Sequence, residues 1–229
     1  MNRLLIIPAR GGSKRIKNKN IKKFHNKPII QYPLTSAKKS KLFNLIHVST
    51  EDKSIFKLVK KIGFRPDFFK DKKLGNNSVG IGEVIKFVIN KYIKISKTFD
   101  EVWCIYPCSP LINEHDLKKI SIYFKKQKNS LMTINEFPAP VFWALKKKKD
   151  KTIEHIFKTK SKIPSNKIEP FFYDNGCIII LKKKDFLKKF NKIKFTGYEM
   201  PIYKSVDIDN VKDWNLALNL YRMQKKIKK

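Results

Sequence analysis

The sequence predicts a three-layer α/β fold built on a mainly parallel sheet. Strand-sized apolar runs alternate with helical stripes of 10 to 15 residues, the pattern of repeated βαβ units. The first apolar run, Leu4–Ile7, opens directly into Pro8 and the pair Gly11-Gly12, a strand followed by a ligand-type turn. At 229 residues and 41% hydrophobic content the chain can bury a large core without a disulfide or metal, as one domain spanning 1–229.

Each element has its own signal. Leu4-Leu5-Ile6-Ile7 is apolar without alternation, as expected for a strand buried on both faces. Ile46–Ser49 reads as a second strand. Ile55, Leu58, Val59 and Ile62 form one helical stripe, closed by Gly63. Val84, Ile85, Val88, Ile89 and Tyr92 repeat the stripe on another helix. Glu101–Tyr106 is a strand ended by Pro107. Asn113 caps the next helix, with Asp116 in its first turn and Leu117, Ile120 and Phe124 facing inward. Leu131–Ile134 and Cys177–Leu181 are further strands. Asp209 starts a last helix carrying Trp214, Leu218 and Tyr221. From about 137 to 173 no period holds; that stretch is too long for a plain loop and predicts a protruding hairpin or flap.

Composition excludes several classes. Aromatic content of 12% rules out intrinsic disorder, and no apolar run approaches a membrane span. The charged start Met1-Asn2-Arg3 leads into a run too short for a signal peptide. Three cysteines, 104, 108 and 177, show no metal spacing, so a reducing cytoplasm is expected. Lys plus Arg is 52 against 19 acids, a net charge of +33. The lysines are spread evenly, whereas a nucleic-acid footprint concentrates them on one face; no nucleic-acid partner is expected. Only five of the basic residues are arginines, and Arg10 and Arg15 lie in the glycine loop. A planar fork matched to phosphate oxygens explains that choice over lysine.

Two segments carry chemistry. In the loop Pro8-Ala9-Arg10-Gly11-Gly12-Ser13-Lys14-Arg15, glycines allow backbone N–H groups close to an anion, and Arg10, Lys14 and Lys19 supply charge. Neither the Walker A nor the dinucleotide glycine spacing is present. Further on, Ser205-Val206-Asp207-Ile208-Asp209 reads as a strand end with two carboxylates at i and i+2 on one face, suited to a hard divalent cation. The alternative for Asp209 is a plain helix N-cap. The histidines show no metal or base spacing, and no nucleophile triad stands out.

The stretch Ile6–Ile16 with Lys19-Asn20 resembles the signature of the CMP-sialic acid synthetases and their relatives. That resemblance implies a Rossmann-like nucleotide-diphospho-sugar transferase fold whose flap mediates a homodimer. It implies a cytidylyltransferase that couples CTP to an acidic nine-carbon sugar, with Mg²⁺ as cofactor. Arg10, Lys14 and Lys19 would then act in catalysis. Pro8, Ala9, Gly11, Gly12, Ser13 and Asn20 would join Arg10 and Lys14 in holding the nucleotide. Lys70, where relatives carry an arginine, and Ser78, in the polar stretch Asn76-Asn77-Ser78, extend that set. Asp207 and Asp209 match the metal-binding segment. Tyr106 stands where the sialic acid enzymes have a sugar-contacting glutamine. Glu136–Pro140 and Glu169–Gly176 resemble the pseudaminic acid branch, which would put Asp174 and Asn175 in the sugar pocket. The rival readings are a cytidylyltransferase for legionaminic, N-acetylneuraminic or 3-deoxy-octulosonic acid, a basic nucleic-acid-binding module, and a nucleotide-binding regulator without turnover.

Overall fold

Consecutive apolar residues in Leu4–Ile7 leave no polar face, so the first strand must run through the middle of the sheet; all four residues are fully buried. The computed structural model describes residues 1–64, 66–76 and 79–226. Its strands are β1 (Arg3–Pro8), β2 (Lys23–Phe24), β3 (Lys27–Pro28), β4 (Leu45–Ser49), β5 (Glu101–Ile105), β6 (Ser130–Glu136), β7 (Leu145–Lys147), β8 (Ile153–His155), β9 (Phe172–Lys182) and β10 (Phe195–Glu199). Its helices are α1 (Gln31–Ser40), α2 (Lys53–Lys61), α3 (Ile81–Ile93), α4 (Glu114–Lys125) and α5 (Val211–Lys226). Six strands form the central sheet in the order β10-β6-β9-β5-β1-β4. Strand β9 runs antiparallel to both its neighbours, and the other pairings are parallel.

Strand alternation sorts the core into two layers. Leu5 and Ile7 of β1 pack with Leu34 of α1, Val59 of α2 and Ile120 and Phe124 of α4 on one face. Leu4 and Ile6 pack with Ile85, Val88 and Tyr92 of α3 on the other. A third cluster joins Trp214 and Ala217 of α5 to Phe24 and Ile29 beside the small β2–β3 ribbon. Helices cover both sheet faces, as the alternation predicts.

Helix α2 is closed by Gly63 at φ 85°, and α4 is opened by the capping box of Asn113 and Asp116. Four features depart from the sequence reading. Helix α1 and strand β10 were not expected. The segment 205–209 is not a strand. Helix α5 starts at Val211 rather than at Asp209. Between β6 and β9 the chain leaves the sheet and folds the separate antiparallel ribbon β7–β8, with Leu145, Ile153, Ile156 and Phe157 exposed.

Candidate active site

The carboxyl ends of β1, β4, β5 and β6 share one edge of the sheet, and a cavity of about 500 Å³ opens there. The reversed strand β9 brings its first residues to the same edge, where Asp174 pairs with Ile134. Arg10, Ser13, Lys14, Arg15 and Lys19 line one side of the cavity. Asp174, Gly176, Val206, Asp207 and Asp209 line another. Lys70, Leu74, Asn76, Val79, Ile81 and Val84 supply a largely apolar wall, and Tyr106 and Cys108 complete it.

The glycine loop is tied down by its own backbone. The Ala9 N–H donates to Ser49 O at 2.9 Å, and the Gly11 N–H donates to Glu51 Oε1 at 2.9 Å. A Cβ at Gly11 would lie 2.9 Å from Asp52 Cβ and closer still to its carboxylate, so the approach of the loop to the start of α2 requires glycine. Asn20 is buried and holds the loop closed: its Nδ2 donates to Arg10 O at 2.8 Å. Lys19 Nζ reaches Ile208 O at 2.6 Å and Asp209 Oδ1 at 3.4 Å, and Arg15 pairs with Asp209 at 2.8 Å. The loop and the 206–209 segment are therefore joined directly by charge.

The carboxylates are not caps. Asn210 Oδ1 accepts from the N–H groups of Lys212 and Asp213, and Asp213 Oδ2 accepts from those of Asn210 and Asp209. With the start of α5 satisfied this way, the Asp209 side chain faces the cavity with Asp207, while Ile208 between them is fully buried. Burial and then the charge of Asp209 push the Asp207 carboxyl above its usual range, against the opposing pull of Lys19 and Arg15. Asp209 meets the cations Arg15 and Lys19, and Asp207 beside it in the cavity lining forms no ion pair among the described residues. Among the described residues no group of three or more His, Cys, Asp or Glu side chains gathers. Two carboxylates supplemented by substrate phosphates are nonetheless the ordinary magnesium arrangement, so the donor set fits.

The other expected residues fall as follows. Pro8 and Lys70 line the cavity, whereas Ala9 is buried beneath the loop, and Gly11 and Gly12 lie outside the cavity wall. Ser78 lies outside the described residues. Tyr106 follows β5, its ring packs partly against the core, and its phenol stays protonated because burial raises its pKa far above the usual value. Asp174 lines the cavity. Asn175 does not: adjacent strand residues face opposite ways, and the Asn175 side chain turns inward to accept from Thr133 Oγ1 at 2.7 Å. Its expected sugar contact therefore has no support in this placement. Burial pushes the thiols of Cys108 and Cys177 up to about 12, which keeps them protonated at neutral pH. Sequence reasoning missed Glu51 and the apolar members of the wall, Leu74, Val79, Ile81 and Val84; the available signal was only that they follow β4 and flank or open α3 at the ligand-binding edge.

A basic glycine loop and paired carboxylates sharing one carboxyl-edge cavity are the layout of a nucleotidyltransferase. The family model described as cytidylyltransferase matches residues 4–227, and the chain belongs to that family. A pseudaminic acid cytidylyltransferase of Campylobacter jejuni is 29% identical over 97% of both chains. A CMP-N,N'-diacetyllegionaminic acid synthase of Legionella pneumophila is 24% identical, again over 97% of both. Among solved structures, a CMP:2-keto-3-deoxy-manno-octonic acid synthetase complexed with CTP superposes with a TM-score of 0.70 at 14% identity, covering 98% of this chain and all of the other. That likeness establishes the fold: a nucleotidyltransferase α/β architecture.

Proposed function

We propose that this enzyme couples CTP to an acidic nine-carbon sugar, pseudaminic acid first among them, giving the CMP-sugar and pyrophosphate. The observation that carries the reading is the cavity shared by Arg10, Lys14, Lys19, Asp207 and Asp209. The anomeric hydroxyl of the sugar attacks the α-phosphorus of CTP and gives up its proton to solvent, a P–O bond forms, and the bond to the β,γ-pyrophosphate breaks, the pyrophosphate leaving with the bonding pair. Such chemistry rests on positioning and charge neutralisation. Arg10 and Lys14 hold the polyphosphate, and Lys19 spans from the loop to the carboxylate segment. Asp207 and Asp209 would hold Mg²⁺, which supplies charge neutralisation at the phosphates and acidifies a bound hydroxyl. The names of the relatives and the acid-sugar resemblance of the 169–176 segment support the choice of sugar. The exposed apolar residues of the β7–β8 ribbon fit an interface with a second copy of this chain, and the free thiols fit a reducing cytoplasm.

Pyrophosphate release decides it. CTP with pseudaminic acid is expected to turn over, and ATP, GTP and UTP are not. A neutral, bulky Tyr106 in the wall favours the less hydroxylated sugar, so kcat/KM for pseudaminic acid should exceed that for N-acetylneuraminic acid by at least about tenfold. Tyr106→Gln should narrow that ratio. Faster turnover of N-acetylneuraminic acid, or an unchanged ratio in Tyr106→Gln, overturns the sugar assignment.

A further inference from the structure

Glu51 stands directly behind the cavity wall, where three segments of the nucleotide side converge. Its Oε1 accepts from the Gly11 N–H at 2.9 Å, and its Oε2 pairs with Lys70 Nζ at 2.9 Å. The Lys70 side chain is only 3% exposed and that of Glu51 15%. The Lys70 N–H also donates to Thr50 O at 2.8 Å, so backbone and side chain both tie the 70–76 segment to the end of β4. On the third side, a Cβ at Gly75 would lie 2.8 Å from Glu51 Cδ, so the turn after Lys70 packs onto the carboxylate itself. Burying an ammonium is costly unless a counter-ion is held in good geometry. In a chain with 52 cations and 19 acids, an acid placed here meets that need while also fixing the glycine loop.

We propose that Glu51 is a positioning residue for CTP: it makes no contact with substrate, and it sets Lys70 in the cavity wall and, through the Gly11 amide, anchors the glycine loop whose other residues receive the nucleotide. This rests on the reading of the cavity as a CTP site. One carboxylate bridges the glycine loop and the 70–76 segment, so the two sides of the nucleotide pocket move as a unit. The acid-sugar side, built from Asp174, Val206 and Asp207, has no link to Glu51 among the described contacts.

The test is steady-state kinetics on Glu51→Gln, which keeps the volume and an acceptor for Gly11 but removes the charge opposite Lys70. KM for CTP should rise at least about tenfold, because Lys70 loses its buried counter-ion and with it its fixed place in the wall. The values of kcat and of KM for the sugar should stay within about twofold, because the effect is confined to ground-state nucleotide binding. Glu51→Asp keeps the charge and should recover part of the affinity. In a Lys70→Met background, Glu51→Gln should add little. Unchanged KM for CTP, a parallel loss in both substrates and kcat, or full additivity with Lys70→Met overturns the proposal. If Glu51→Gln folds poorly, direct CTP binding to Glu51→Asp and Lys70→Met by calorimetry tests the same link, since affinity equal to wild type in both variants sinks it. Wild-type protein that binds no CTP overturns the CTP reading instead.

Discussion

His47 shows how a single residue reports the core. It is fully buried in β4, its ring lies 4.4 Å from that of Phe68, and its Nδ1 is 3.0 Å from the Tyr92 hydroxyl. That hydroxyl donates to Asp67, so Nδ1 carries the proton and donates to Tyr92. Burial lowers the His47 pKa from 6.5 to about 4, outweighing the opposing charge of Asp67. As pH falls through that window the unfolded chain takes up a proton that the folded chain refuses. Stability is therefore lost toward acid, by up to ~3 kcal/mol in total. Urea titrations at neutral and mildly acidic pH should show a smaller acid loss in His47→Gln than in wild type, and equal losses would dismiss the account. The residue scale is also where sequence reading divides. Asp174 and Asn175 look alike as a polar pair in an aromatic stretch, yet the pleat sends one to the cavity and the other to Thr133. Glu51 carried no motif at all, since its meaning comes from Gly11, Lys70 and Gly75, residues distant along the chain.

At the scale of elements, the start of α5 is coupled to the cavity. Asp213 accepts from the N–H groups of Asn210 and Asp209, so the cap of the helix also fixes the backbone that carries a candidate metal ligand. Asp213→Ala should cost ~1 kcal/mol of stability, the usual worth of a helix cap. It should also raise the Mg²⁺ concentration needed for half-maximal activity, whereas Lys212→Ala, exposed on the same turn, should do neither. A thermal melt and a Mg²⁺ titration check both, and an unaltered Mg²⁺ requirement in Asp213→Ala refutes the coupling. Elements with dense apolar spacing were legible: α2, α3, α4 and the strands β1, β4, β5 and β6 follow from their runs. Helix α1 was not, because Leu34 and Ala37 give the sheet-facing core a thin stripe diluted by lysine and serine. The reversal of β9 was also hidden. A strand buried on both faces reads the same in either direction, and only the pairing partners set its sense.

Across the whole molecule the net charge of +33 acts as a field rather than as contacts. Substrates with phosphates and a carboxylate are drawn toward it, and salt screens that attraction over about 10 Å at 0.1 M. Raising ionic strength from about 0.05 to about 0.5 M should increase KM for CTP several-fold and leave kcat nearly constant. A flat KM would show that the lysines contribute nothing to capture. The cavity's position at the carboxyl edge was legible from the first strand and its glycine loop, since parallel strands deliver their ends there. The outline of the 137–173 excursion was legible only as a break in period. Its exit has a consequence for how such enzymes diversify. The chain returns from the β7–β8 ribbon through two short 3-10 turns, 160–162 and 165–167, into β9, whose first residues put Asp174 and Gly176 in the cavity wall. Excursion and pocket wall thus form one continuous cassette, bounded by β6 and the buried stretch Cys177–Leu181. Exchanging that cassette between relatives would transplant the Asp174 and Gly176 part of the cavity wall and the outward surface in a single step, leaving the glycine loop, Tyr106 and the 206–209 segment in place.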